Sequence, residues 1–143
     1  MFIKVHRVSY LVDDADQMAE YMWQSFGLTP ERTADWPHAG HKWILYRIGP
    51  TILDFRQPTR DDTDLARELK EKGPGVRLVA WTVEGIDQVF RDLKRRGAEV
   101  RGDSPQDSGF GYKTINIEPK SSQGIRFQLV EGELVYEAKD PGY

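Results

Sequence analysis

The sequence contains no cysteine among its 143 residues. Disulfide staples, thiol nucleophiles and cysteine-based zinc sites are therefore excluded. Long hydrophobic runs are missing as well, since no stretch approaches the roughly 20 apolar residues that a membrane helix needs. Neither sign of charge dominates. A net charge of −3 gives no electrostatic reason to expect DNA or RNA, and the one basic run, Lys94-Arg95-Arg96, is short and not interleaved with aromatics. The opening Met1-Phe2-Ile3-Lys4-Val5 lacks the basic region, apolar core and small-residue cleavage site of a secretory signal. Neither a membrane nor a nucleic acid is expected as a partner, and the expected location is cytoplasmic.

What is present is an ordinary globular composition: 38% hydrophobic and 30% charged residues. That is enough for one compact domain with its own core. Val5 to Val12 reads as a strand. Asp13-Asp14 can cap a following helix whose apolar positions Ala15, Met18, Met22 and Phe26 keep helical spacing, and Gly27 stops it. The pattern then recurs. Val76 to Val83 is strand-like, Glu84-Gly85 punctuates, and Ile86, Val89, Phe90 and Leu93 form the stripe of a second helix ending near Gly97. Laid ungapped from Val5 and Val76, the two segments share Val5/Val76, Val8/Val79, Val12/Val83, Asp16/Asp87 and Gln17/Gln88.

Short strand-like runs follow each helix: Trp43 to Ile48 and Thr51 to Gln57 after the first, Tyr112 to Ile117 and Ile125 to Val130 after the second. Further short strands are expected near Glu31 and Glu99. The predicted organisation is a single α+β domain of two βαβββ modules. Module 1 spans about 1–60, a linking helix and joint about 61–75, module 2 about 76–131, and a charged tail 132–143.

Side chains alternate across a strand, so each run splits into two faces. One face is apolar (Val8, Tyr10, Val12; Leu53, Phe55; Val79, Trp81, Val83; Ile115, Ile117; Phe127, Leu129) and should pack on the helices. The other carries Arg7, Ser9, Leu11, Trp43, Leu45, Arg47, Ile52, Asp54, Arg56, Leu78, Ala80, Thr82, Thr114, Asn116, Arg126 and Gln128. That mixture is too polar for a core and too apolar for plain surface, and it suits the wall of a ligand cleft. Arg7, Arg47, Arg56 and Arg126 outnumber Asp54 and Glu118 on it, which favours a small anionic organic ligand over a cation. For Arg47, Arg56 and Arg126 individually, a place in the site and a place in water at a strand end are both open. The segment Ser108 to Lys113, with Tyr112, is either a ligand-covering lid or a plain strand connection.

Several segments together resemble the vicinal-oxygen-chelate superfamily, which includes glyoxalase I, extradiol dioxygenases and bleomycin-resistance proteins. They are Val8-Ser9-Tyr10 through Asp14-Ala15-Asp16 and Ser25-Phe26-Gly27, then Ala80-Trp81-Thr82-Val83 with Ile86-Asp87, then Glu118-Pro119-Lys120-Ser121 with Gln128-Leu129. The likeness is strongest to the methylmalonyl-CoA epimerases and runs from about Val5 to Glu131. It implies paired modules around a central cleft, and a homodimer. It also implies where the family's metal ligands would stand: on Arg7, Asp54, Leu78 and Gln128. An arginine cannot coordinate, a leucine has no donor, and Gln128 is a weak neutral ligand, so no metal and no other cofactor is expected. The two epimerase glutamates correspond to Trp43 and Gln128, neither of which can take up a proton.

The expectation is a metal-independent enzyme catalysing proton transfer, isomerisation or elimination on an anionic, carbonyl-bearing substrate. Arg7, Asp54 and Gln128 would act in catalysis, with a purely structural Arg7–Asp54 ion pair as the other reading of those two. Trp43, Leu45, Arg47, Arg56, Leu78, Asn116, Arg126 and Tyr112 would line the substrate. Two alternatives stand beside it: a resistance-type protein that only sequesters its ligand, and a metal enzyme with atypical ligands. His6, His38 and His41 are expected in structural or loop roles, the last two because Pro37 and Gly40 argue for a loop.

Overall fold

The computed structural model describes residues 1–135 of the chain, so the predicted tail lies outside the described residues from position 136 onward. The α+β class expected from the sequence is the one observed. By contacts the chain divides into two compact units. Among the described residues, one consists of Val8–Arg77 and the other joins Met1–Arg7 to Leu78–Val135. The first seven residues thus belong to the same contact unit as the strands that follow Leu78.

The unit Val8–Arg77 holds the second half of β1 (Lys4–Leu11), then α1 (Ala15–Phe26), β2 (Arg32–Trp36), β3 (His41–Ile48), β4 (Thr51–Pro58) and α2 (Asp64–Lys72). Its strand order is β2-β3-β4-β1. Helix α1 starts where the sequence says it should. The Asp14 carboxylate accepts from the Gln17 backbone N–H, and Gly27, in the left-handed region at φ 68°, donates to the carbonyls of Met22 and Trp23. Both bonds satisfy groups that a helix end otherwise leaves orphaned. The α1-facing core holds Val12, Ala15, Met22, Ile44, Tyr46 and Phe55, with Tyr10, Met18, Ala19, Leu28 and Leu53 against it. Phe26, expected in this stripe, is exposed; Leu28, just beyond the Gly27 cap, packs against the core.

Tyr46 in this core is an exception to polar satisfaction. Its ring lies edge-on to Phe55, it is buried, and its hydroxyl has no hydrogen-bond partner among the described residues. Burial pushes the phenol's pKa up. A buried unpaired hydroxyl costs free energy that a hydrogen atom does not. Tyr46→Phe is therefore expected to be neutral or to stabilise the chain by up to about 1 kcal/mol in urea unfolding.

The other unit holds the first half of β1, then β5 (Gly75–Thr82, entering the unit at Leu78), α3 (Ile86–Arg95), β6 (Gln106–Asp107), β7 (Lys113–Asn116) and β8 (Phe127–Glu131). The strand order is β1-β5-β8-β7-β6, with β5 and β8 parallel and β7 and β8 antiparallel. Its helix-facing core joins Val83, Ile86, Val89, Phe90, Ile115 and Leu129, with Trp81, Leu93 and Val100 packed against it. The stripe read from the sequence for α3 is the one that is buried. The short strand expected near Glu99 is a single bridge, Val100 to Ile117. Strand β8 starts at Phe127, because Ile125 is exposed beyond a tight turn ending at Gly124.

Candidate functional site

Two groups of polar side chains are buried on the sheet faces away from the helices, one in each unit. They include residues that the sequence reading placed on the wall of a ligand cleft. In the Val8–Arg77 unit Leu11, Trp43, Leu45 and Ile52 are buried together with Ser9 and Asp54.

In that unit the register sets the group. β3 and β4 are antiparallel with Leu45 opposite Asp54, Trp43 opposite Arg56 and His41 opposite Pro58. Period-two alternation puts all of these on one face. Asp54 is 0% exposed. Its Oδ1 accepts from the Ser9 hydroxyl and lies 3.5 Å from Arg56 Nε. The carboxylate is thus held by a neutral donor and a cation at once, an arrangement that fixes its orientation. Trp43 stacks on Trp36 with centroids 5.0 Å apart, and Trp36 in turn meets His41 edge-on at 5.3 Å. Arg47, at the other end of β3, is half-exposed and paired with Glu31 at 3.2 Å.

His41 corrects the sequence reading. It is not in a loop: β3 begins two residues earlier than Trp43, and His41 is its first residue, 5% exposed. The turn before it does contain the Pro37 and Gly40 that suggested a loop. Gly40 sits at φ 76° and donates to the Trp36 carbonyl; a Cβ there would stand 2.7 Å from Thr63 Cγ2, so only glycine fits. The imidazole bonds the Ala39 backbone, while its Nε2 is buried without a partner among the described residues. Burial first, then the charge of Arg56, lowers its pKa to about 4; the Ala39 bond and Asp54 oppose this, and Arg77 adds a lesser lowering. His41 is therefore neutral at ordinary pH. Counting back by two from Leu45 and Trp43 would have placed it on this face. His38 is exposed in the turn.

In the other unit the group is a chain of oriented bonds. Arg7, on β1, is 7% exposed. Its Nη2 donates to Gln128 Oε1 at 2.5 Å and its Nη1 to the Tyr112 hydroxyl at 3.3 Å. Gln128 Nε2 donates to Asn116 Oδ1 at 3.0 Å. Asn116 and Gln128 are opposed on β7 and β8, so the register itself makes that contact. Only one orientation of the Gln128 amide satisfies both neighbours, oxygen toward Arg7 and nitrogen toward Asn116. The Tyr112 ring lies under the guanidinium, 5.6 Å from its central carbon, and against His6 at 5.1 Å. Tyr112 sits just ahead of β7 on the segment whose Gly109 and Gly111 have positive φ. Leu78 packs with Ala80, Tyr112 and Val130 in an apolar cluster. Arg126 is half-buried near Glu118, whose carboxyl is held below its usual pKa chiefly by the hydrogen bond from Arg101.

Three of the positions that the sequence resemblance assigns to the family's metal, Arg7, Leu78 and Gln128, lie in this unit. Arg7 brings a fixed positive charge, Leu78 no donor, and the one oxygen, on Gln128, accepts from Arg7. Among the described residues no three of His, Asp and Glu cluster closely enough to hold a metal.

Residues 6–114 match the model of the glyoxalase/bleomycin resistance protein/dioxygenase superfamily. Among solved structures, Streptomyces coelicolor methylmalonyl-CoA epimerase in complex with 2-nitronate-propionyl-CoA is 22% identical, with a TM-score of 0.81 over 92% of this chain and 99% of that one. A selenomethionine methylmalonyl-CoA epimerase is 27% identical, with a TM-score of 0.79 over 92% and 97%. The epimerase from Mycobacterium tuberculosis is 20% identical, with a TM-score of 0.81 over 92% and 89%. No curated protein matches the chain.

Proposed function

The chain belongs to the glyoxalase/bleomycin resistance protein/dioxygenase superfamily, and from that premise we propose that it is a metal-independent, isomerase-type enzyme moving a proton next to the carbonyl of a small anionic substrate. The observation that carries this reading is the Asn116–Gln128–Arg7 chain. Arg7 is buried and its guanidinium is oriented by Gln128 and Tyr112, so it is preorganised to bind a carboxylate or to stabilise an enolate oxygen. Those are the tasks a metal performs in relatives that have one. Asn116 holds the Gln128 amide in the orientation that keeps its oxygen on Arg7.

Asp54 has the role of base, as a proposal of its own. Its carboxylate is oriented by Ser9 and Arg56, and a positioned carboxylate can act as a general base in proton transfer. The structures similar to this chain include methylmalonyl-CoA epimerases bound to acyl-CoA ligands, which supports acyl thioesters of small acids as the first substrates to try. Trp43 and Gln128 stand where those enzymes would carry glutamates by the sequence resemblance. The residues moving the proton would therefore differ from theirs.

The test is a panel of acyl-CoA thioesters, methylmalonyl-CoA among them, followed by proton NMR in D2O for exchange of the hydrogen on the carbon next to the thioester. The expected result is exchange by the wild type, at least about 100-fold slower in Asp54→Asn, with ligand binding retained. The stacked Trp36–Trp43 pair, a flat aromatic wall, favours a second reading, a protein that binds without turnover. A ligand bound equally by wild type and Asp54→Asn, with no exchange by either, would decide for it.

A further inference from the structure

The buried Nε2 of His41 takes no part in the roles assigned so far. We propose that His41 is a substrate-binding residue, its Nε2 accepting a hydrogen bond from a hydroxyl group on a carboxylate ligand, so that the substrate class is a hydroxy acid or its acyl derivative. The inference deepens the proposed function by naming that class, and it rests on the Asp54 face of the Val8–Arg77 unit being where substrate lies.

Four observations converge on this assignment. His41 is 5% exposed, yet Nε2 has no partner among the described residues. Buried polar groups are nearly always satisfied, and one left open costs free energy that folding tolerates where function recovers it. The other ring nitrogen is the one available to the Ala39 carbonyl. That fixes the tautomer and leaves Nε2 as a lone pair that can only accept. The ring is packed edge-on against Trp36, which is itself stacked on Trp43.

The charges around it decide the donor. Arg56 and Arg77 both bear electrostatically on His41, with Asp54 opposing them. Asp54 is itself paired with Arg56, and Arg77 with Glu68 at 2.8 Å. An ammonium donor or a metal ion would meet the two guanidinium groups, whereas a neutral O–H would not. The same arginines favour a negative group on the rest of the ligand. A hydroxyl beside a carboxylate meets both requirements.

Glycolate, acetate and glycinate isolate the donor, since they differ only in the group next to the carboxylate. With the full chain and ¹⁵N-labelled histidine, glycolate is expected to bind about tenfold tighter than acetate, as one hydrogen bond to a buried acceptor provides. Glycinate should bind more weakly than acetate. Glycolate alone should move the His41 Nε2 resonance. His41→Phe should erase the difference between glycolate and acetate, and His41→Gln, which keeps an acceptor, should retain part of it. Equal affinities in the wild type, binding of none of the three acids, a preference that survives His41→Phe, or an ordered water that stays on Nε2 with glycolate bound would each overturn the assignment. The thioester-exchange assay judges the proposed function separately. Exchange without hydroxy-acid selectivity sinks only this inference, and selectivity without exchange sinks only the proton-transfer reading.

Discussion

Asp54→Ala is expected to lower the free energy of unfolding by about 3 kcal/mol in urea, with little change in the slope of the transition. The carboxylate is fully buried and anchors both the Ser9 hydroxyl and the Arg56 guanidinium. Removing one member of a buried pair leaves the other charge desolvated, and losses run to about 3–5 kcal/mol. The lower end applies here because the Arg56 side chain keeps 18% exposure and can recover part of its hydration. Asp54→Asn preserves an acceptor for Ser9 and removes only the charge, so it should cost roughly half as much. The contrast separates stability from chemistry: Asp54→Asn should fold, bind and fail to exchange protons. A loss below about 1 kcal/mol for Asp54→Ala would contradict the buried placement of this carboxylate.

Stability should also fall as pH drops from about 6.5 to 4, and His41 is the reason. Its pKa is lowered from 6.5 to about 4 in the folded chain. Between those values the unfolded chain binds a proton that the folded chain refuses. The unfolded state is favoured progressively on acidification, while above pH 6.5 the penalty is absent. The full effect is on the order of 3 kcal/mol. Carboxylates such as Asp92, held below its usual pKa chiefly by the Gln88 hydrogen bond, titrate lower. The upper part of the window therefore belongs to the imidazole. Unfolding free energies measured at several pH values for wild type and His41→Phe isolate it: the wild-type curve should fall below pH 6.5 and the variant's should be flatter by about one proton. Parallel curves would mean that His41 is not buried as described.

Much of the architecture was legible because it rests on local rules. The Asp14 and Gly27 caps fix α1, and strict period-two alternation separates Phe55 from Asp54 and Leu129 from Gln128. The sequence also brought Arg7, Gln128, Asn116 and Tyr112 onto one candidate list. It could not say that Gln128 and Asn116 are opposed across two strands, since register between strands distant in sequence depends on tertiary packing. Where local signals conflicted, the reading failed. Pro37 and Gly40 do make a turn, but the turn ends one residue before His41, and the strand's alternation already includes that histidine. Phe26 keeps helical spacing yet points to water, because the chain reverses at Gly27 and lets Leu28 reach the core instead. Leu11, Leu45 and Ile52 stand on the face read as cleft wall and are buried, and a mixed face looks the same in sequence at any degree of burial.

The central claim, proton transfer assisted by a guanidinium in place of a metal, is tested most directly by measuring thioester hydrogen exchange in D2O after exhaustive treatment with a strong chelator, for wild type and Arg7→Leu side by side. The account predicts that wild-type exchange is unchanged by the chelator and that Arg7→Leu slows it by about 100-fold or more, as loss of one preorganised donor does. Exchange that disappears with the chelator and returns when cobalt(II) or zinc is added back would contradict it.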